Sequence, residues 1–256
     1  MGITFNGYDF SALGLHVVGR SLPFAPAKRS AIQDLPFRDG GVGYIGRFQT
    51  GRISLDCILQ GTRADLDTVR YRLALPDTER TLIINDIPDR YWKAKWVPTG
   101  DEAQYIGTGG FMLTLNFLTP DSLAYKVGDA SEATRTVDAT PFNTTITAAG
   151  GTAHANPIWK ITVVGGTPSS YLELENTTTE ETIRRSAATG AGHIWRVDTE
   201  RRIVHISTDG GTSWARAMTS LSKFQFPRLA PRIANAIVVR GTDDATLNVE
   251  WIERYV

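Results

Sequence analysis

The sequence predicts a mainly β protein of two domains: a β-sandwich-like N-terminal domain that carries one α-helix, and an antiparallel β-sandwich at the C-terminal end. Three observations carry this. Apolar residues recur at every second position, as in Phe111, Leu113, Leu115 and Phe117 or Trp92, Ala94 and Trp96, which lines one face of a strand. One segment breaks the rule: Thr62 and Asp65 frame a capping box, Leu66, Val69 and Leu73 form a helical stripe, and Pro76 stops the run. Residues 129–157 are rich in Thr, Ala, Gly and Ser, which places a domain boundary there.

In chain order, residues 1–128 form the first domain. A short strand at Ile3 and Phe5 turns at Asn6 and Gly7. Residues 20–50 hold Pro, Gly and Arg with few regularly alternating apolar side chains, which makes a poor core element and a plausible arm for pairing with a neighbour's strand edge. A strand follows over 52–60, then the helix over 62–75, then strands around Trp92 and Phe111. Residues 129–150 read as a linker. In 151–256, Trp159/Ile161/Val163, Leu172/Leu174, Val204/Ile206 and Leu247/Val249/Trp251 alternate at short spacing between Gly, Asp and Thr turns, the pattern of an antiparallel sandwich. No fixed-period repeat argues for a solenoid or propeller.

The 256 residues are 41% apolar, enough for packed cores, and the 27 basic and 27 acidic residues balance, so no global field draws the protein to nucleic acid or an anionic membrane. The N-terminus lacks the charged start and apolar run of a signal peptide, and no apolar run is long enough to cross a bilayer. The expectation is a protein made and folded in a cytoplasm, with no membrane partner.

The motifs point away from catalysis. Gly41-Val-Gly43-Tyr-Ile-Gly46 matches a dinucleotide-binding spacing, but that chemistry needs a helix N-terminus immediately afterwards, and the sequence continues into a strand. His16, His154, His193 and His205 have no metal-ligand spacing, and no nucleophile elbow is present. Asp86, Asp89, Asp243 and Asp244 sit in turn-like contexts, and the pairs Arg184-Arg185 and Arg201-Arg202 are too short for a basic stripe. Cys57 shares a strand face with Ile53, Leu55 and Leu59 and reads as a buried thiol. No catalytic residue, cofactor or metal site is assigned. Ser207-Thr-Asp209-Gly-Gly211-Thr-Ser-Trp214 resembles the Asp-box of sialidases and other β proteins, in which the Asp caps a tight turn and the Trp packs beneath the hairpin; a single copy predicts such a hairpin.

Taken in order, the first 128 residues resemble the N-terminal domain of the siphophage distal tail protein (Dit) family. The likeness runs through Ile3-Thr-Phe5-Asn-Gly7-Tyr-Asp, Leu22-Pro-Phe24, Leu35-Pro-Phe-Arg-Asp39-Gly-Gly41, the single helix, Ile87-Pro-Asp89-Arg90-Tyr91-Trp92, and Phe111-Met-Leu-Thr-Leu-Asn-Phe117 followed by Pro120 and Ala124-Tyr125. Asn156-Pro157-Ile158-Trp-Lys-Ile161 and the strands after it resemble the family's galectin-like sandwich.

The resemblance implies a structural component of the phage tail tip or baseplate, carried in the virion, that joins the tail tube to the host-adsorption apparatus. Six copies would close into a homohexameric ring, with DNA passing through the lumen without specific binding. The implied partners are further copies of the chain, the tail tube protein, the tail-associated or tail-fibre hub protein and the tape measure protein. Arg38, Asp39, Tyr44 and Arg47 are the candidate residues of the ring-interface arm. The competing expectation is a carbohydrate-binding module, with Trp195, Trp214 and Trp251 as candidate sugar-contact aromatics.

Overall fold

A computed structural model describes the backbone of residues 1–23, 28–34, 41–48, 50–75, 78–98, 103–107 and 109–256, and the side chains of these stretches except 28–34 and 41–48. The chain divides into two compact units, Met1–Val127 with Val256, and Gly128–Tyr255.

The first unit contains β1 (Ile3–Phe5), β2 (Tyr8–Asp9), β3 (Leu15–Ser21), β4 (Lys28–Asp34), β5 (Gly41–Phe48) and β6 (Gly51–Gln60). The helix α1 (Arg63–Ala74) precedes β7 (Arg80–Ile84), β8 (Arg90–Trp96), β9 (Gln104–Tyr105), β10 (Gly110–Thr119) and β11 (Ala124–Lys126). The main sheet runs β2-β1-β7-β8-β10-β6-β3, with β9 beside β10 and β11 beside β8. Its spine is the β6/β10 ladder, which sets Ile53 against Phe117, Leu55 against Leu115, Cys57 against Leu113 and Leu59 against Phe111. The alternating residues of β6 are fully buried, Cys57 among them. Burial, and secondarily the Asp56 charge, push the Cys57 thiol up to about 12, so it stays protonated.

The helix starts where its capping box places it. Thr62 N–H donates to Asp65 Oδ2 at 2.7 Å, and the Asp65 N–H returns to Thr62 Oγ1 at 3.4 Å. These donors hold the Asp65 carboxyl below the usual carboxylate range. Leu66, Val69 and Leu73 are buried, as their spacing requires. Pro76, the expected helix stop, lies outside the described residues.

Among the described residues, strands β4 and β5 pair only with each other, from Lys28 opposite Phe48 to Asp34 opposite Gly41. The Gly41–Gly46 run is therefore strand backbone and leads toward β6, with no helix N-terminus at its end.

The second unit contains β12 (Ser131–Val137), β13 (Phe142–Thr147), β14 (Ile158–Val163), β15 (Leu172–Asn176), β16 (Glu181–Arg185) and β17 (Ile194–Asp198). It continues with β18 (Ile203–Ser207), β19 (Ala215–Arg216), β20 (Leu221–Phe224), β21 (Ala234–Arg240), β22 (Ala245–Trp251) and β23 (Arg254–Tyr255). One sheet has six strands in the order β12-β22-β14-β17-β18-β19, and the other has five, β13-β21-β15-β16-β20. Every pairing in both is antiparallel. The first sheet lends Trp159, Ile161, Val197, Leu247 and Val249 to the core and the second Ile146, Leu172, Leu174, Ile183, Ile237 and Val239. The Trp159 indole N–H donates to Pro227 O at 2.9 Å, which satisfies the one polar atom of that buried ring.

The expected linker over 129–150 is corrected by these pairings. Strand β12 pairs along β22, and β13 along β21, so this stretch supplies one edge strand to each sheet. Its composition misled because an edge strand buries few side chains. Only Val137 of β12 and Ile146 of β13 are fully buried, and Thr134, Thr136, Thr145 and Thr147 are exposed.

Candidate functional site

Of the candidate arm residues, Arg38 and Asp39 lie outside the described residues. Tyr44 and Arg47 lie on β5, where Tyr44 is the register partner of Ala31. The backbone brings these positions onto a two-stranded ribbon that, among the described residues, joins no larger sheet, which leaves main-chain donors and acceptors along its edges.

The three candidate aromatics separate by burial. Trp195 and Trp251 are 2% and 6% exposed and belong to the sandwich core, so neither can stack on a sugar. Trp214 is 44% exposed. It ends the Asp-box turn between β18 and β19. Asp209 Oδ1 accepts the Ser207 hydroxyl at 2.7 Å and the Ser213 N–H at 2.9 Å, and Oδ2 accepts the Ser213 hydroxyl at 2.5 Å. The Gly211 N–H donates to Ser207 Oγ at 2.7 Å. Gly210 and Gly211, at φ of 71° and 100°, supply the left-handed backbone this turn needs. The Ser207 and Ser213 donors hold the Asp209 carboxyl well below the carboxylate range. Trp214 closes the turn by donating its indole N–H to Gly211 O at 3.1 Å.

The two sheets of the sandwich carry different outer faces. On the five-stranded sheet, Arg240, Glu173, Arg184 and Lys223 form one row across β21, β15, β16 and β20. Glu173 is 5% exposed and its carboxylate lies 2.7 Å from Arg240, 3.1 Å from Lys223 and 3.8 Å from Arg184. Glu175 takes a further 2.5 Å contact from Arg240, and Arg184 lies over the Tyr171 ring. On the six-stranded sheet the corresponding row is Thr134, Asn248, Lys160, Arg196, His205 and Arg216. No carboxylate of the described residues forms an ion pair with its four basic members. Sequence reading missed this row because its members come from six separate strands and meet only through register.

Among the described residues no group of His, Cys, Asp and Glu is arranged to hold a metal ion, and no helix is long and apolar enough to cross a membrane.

No protein-family profile matches the sequence, and no curated protein matches it. Solved structures do match. The crystal structure of the SPP1 Dit protein, described as a paradigm of the hub adsorption apparatus in Gram-positive infecting phages, aligns with a TM-score of 0.69 at 18% identity, over 100% of this chain and 99% of that one. The chain has the Dit fold. Because the alignment runs nearly end to end, the likeness takes in both units, the helix-bearing sheet and the sandwich. Two structures of the phage p2 baseplate in its activated conformation, with strontium and with calcium, align at a TM-score of 0.46 with 11% and 10% identity. They cover 97% and 96% of this chain and 96% and 92% of theirs. The mainly β architecture with one helix, expected from alternation, is thus that of the Dit fold.

Proposed function

We propose that this chain is a structural subunit of a phage tail tip: a distal tail protein of the virion whose first unit closes a homo-oligomeric ring and joins the tail tube to the adsorption apparatus. The observation that carries the reading is the end-to-end match to the fold of SPP1 Dit. The free-standing β4/β5 ribbon supports it. A two-stranded hairpin is marginal alone in water, and its open edges suit addition to a neighbour's sheet. Repeated around an axis, such a heterologous contact closes into a ring. Six copies, partnership with the tail tube, tape measure and hub proteins, and passage of DNA through the lumen complete the proposal, and its role is structural, without catalysis.

The test is negative-stain imaging of the purified protein together with light-scattering mass against concentration, with and without tail tube protein. Rings with a central hole, lost when Tyr44 and Arg47 are replaced by Ser and Glu, are the expected result. A chain that stays monomeric at every concentration and does not bind the tube overturns it.

A further inference from the structure

The unpaired basic row and the exposed indole are neighbours. Trp214 lies two residues before Arg216, which stands opposite His205, and the turn that ends in Trp214 starts at Ser207, the register partner of Ile194. A Cβ at Gly211 would lie 3.4 Å from Ile194 Cδ1 and 4.0 Å from the Trp214 ring, so the Asp-box turn folds over Ile194 on the outer face. Ile194 is two residues from Arg196 on the same strand. Ile194 and Ser207, against which the turn sits, are one same-face row away from Arg196 and His205, about 7 Å along the strands, so the turn that carries the indole borders the basic row.

Each part is built in a way that packing alone does not explain. Lys160 faces Arg196, Arg196 faces His205 and His205 faces Arg216. Lys160 and Arg196 are like charges directly opposed across strands; they repel, and a bound anion relieves that repulsion. Glu250 and Asp198 lie in the next row; Asp198 instead accepts the Arg201 N–H at 2.9 Å. Beside the cations, the Thr134 hydroxyl donates to Asn248 Oδ1, which leaves the Asn248 amide N–H group to offer. The row crosses four strands, about 14 Å, and so is longer than any single anion. Trp214, fixed at its edge by the bond to Gly211 O, offers one pre-set ring face.

We propose that the outer face of the six-stranded sheet binds an acidic glycan: a sugar chain laid across the strands, with one ring on Trp214 and its anionic groups on Lys160, Arg196, His205 and Arg216. The indole covers the apolar face of a sugar ring, and the guanidinium and ammonium groups engage carboxylate, sulfate or phosphate oxygens. A single aromatic is a poor platform for single-stranded nucleic acid, which stacks successive bases. A protein partner needs a dry apolar centre, and this row has none.

The experiment measures binding of the full chain to heparin, a sulfated glycan, beside neutral dextran, inorganic polyphosphate and oligo(dT), at low and at moderate salt. The variants are Arg196→Glu with Arg216→Glu, and Trp214→Ala, each checked for a melting midpoint not below that of the wild type; Trp214→Phe keeps a ring should Trp214→Ala fail to fold. Heparin binding that falls at least tenfold with the charge reversals and several-fold with Trp214→Ala, is kept by Trp214→Phe, and has no dextran counterpart is the expected result. The proposal is overturned if heparin does not bind, if its binding ignores the charge reversals, or if polyphosphate binds equally well and Trp214→Ala changes nothing, which would mark a plain polyanion surface. Tighter binding of oligo(dT) than of heparin overturns it in favour of nucleic acid. Ring formation is read separately, so failure here leaves the tail-tip reading standing.

Discussion

The two outer faces of the sandwich carry the same device with opposite fillings. Each has a row of long polar side chains, most of them charged, running across four strands at matched register. On the five-stranded sheet the row is Arg240, Glu173, Arg184 and Lys223, and the buried Glu173 carboxylate sits among three cations. On the six-stranded sheet it is Lys160, Arg196, His205 and Arg216, with no acid among them. The first face is electrostatically closed within the chain. The second is open, so its charges are available to something outside it. A face's polarity says little about its use; what distinguishes them is whether each charge has already found its partner.

The core beneath both faces is common property, so disrupting it gives the largest effect and scales the rest. Trp159→Ala should cost about 3–5 kcal/mol in denaturant unfolding; a midpoint within error of wild type would show that the sandwich is not packed around this ring. On the closed face, Glu173→Ala should cost about 2–3 kcal/mol, because Arg240, Lys223 and Arg184 lose the buried carboxylate they share and are left facing each other. Urea titration reads this directly, and a stabilised variant would mean that the row tolerates repulsion as well as the open one does.

The Asp-box turn at the rim of the open face gives a pH test. The Asp209 carboxyl is held below its usual range in the folded state, so its contribution to stability is complete above the unfolded value, near pH 4, and is lost as pH falls toward the folded value. The gap in melting midpoint between wild type and Asp209→Ala should stay constant from pH 8 to 5 and shrink below about pH 4; a gap that widens on acidification contradicts the geometry. Smallest of all, Lys160→Thr on the open face should stabilise the free protein by about 0.2–1 kcal/mol, the cost of one like-charge cross-strand pair. A loss of stability in differential scanning would mean that the row is internally compensated.

Much of this architecture can be read from residue order. The period of two at Phe111 to Phe117 and at Trp159 to Val163, the capping box at Thr62 and Asp65, and the Asp209 turn are local patterns, and the structure carries each of them. Residues 131–147 misled because threonine-rich edge strands share their composition with linkers. Burial of Trp195 follows from its alternation with Val197, whereas the exposure of Trp214 depends on how the preceding turn folds back over Ile194. The basic row had no local signature at all: Lys160, Arg196, His205 and Arg216 become one feature only after four strands are placed in register.

The pairing of β12 with β22 and of β13 with β21 also sets an order of events during synthesis. Ser131 finds its partner in Trp251, and Phe142 in Val239, so the earliest strands of the sandwich pair with two of its latest. Until those emerge, two threonine-rich edges wait unpaired and the core around Trp159 is open on one side. Closure of the second unit is therefore a late, long-range step, slowed by the loop that must be spanned. A ribosome stalled shortly before Ala234 would display a first unit with nearly all of its residues in hand and a second still accessible to proteases, which makes the sandwich a checkpoint on whether translation has run through its final strands.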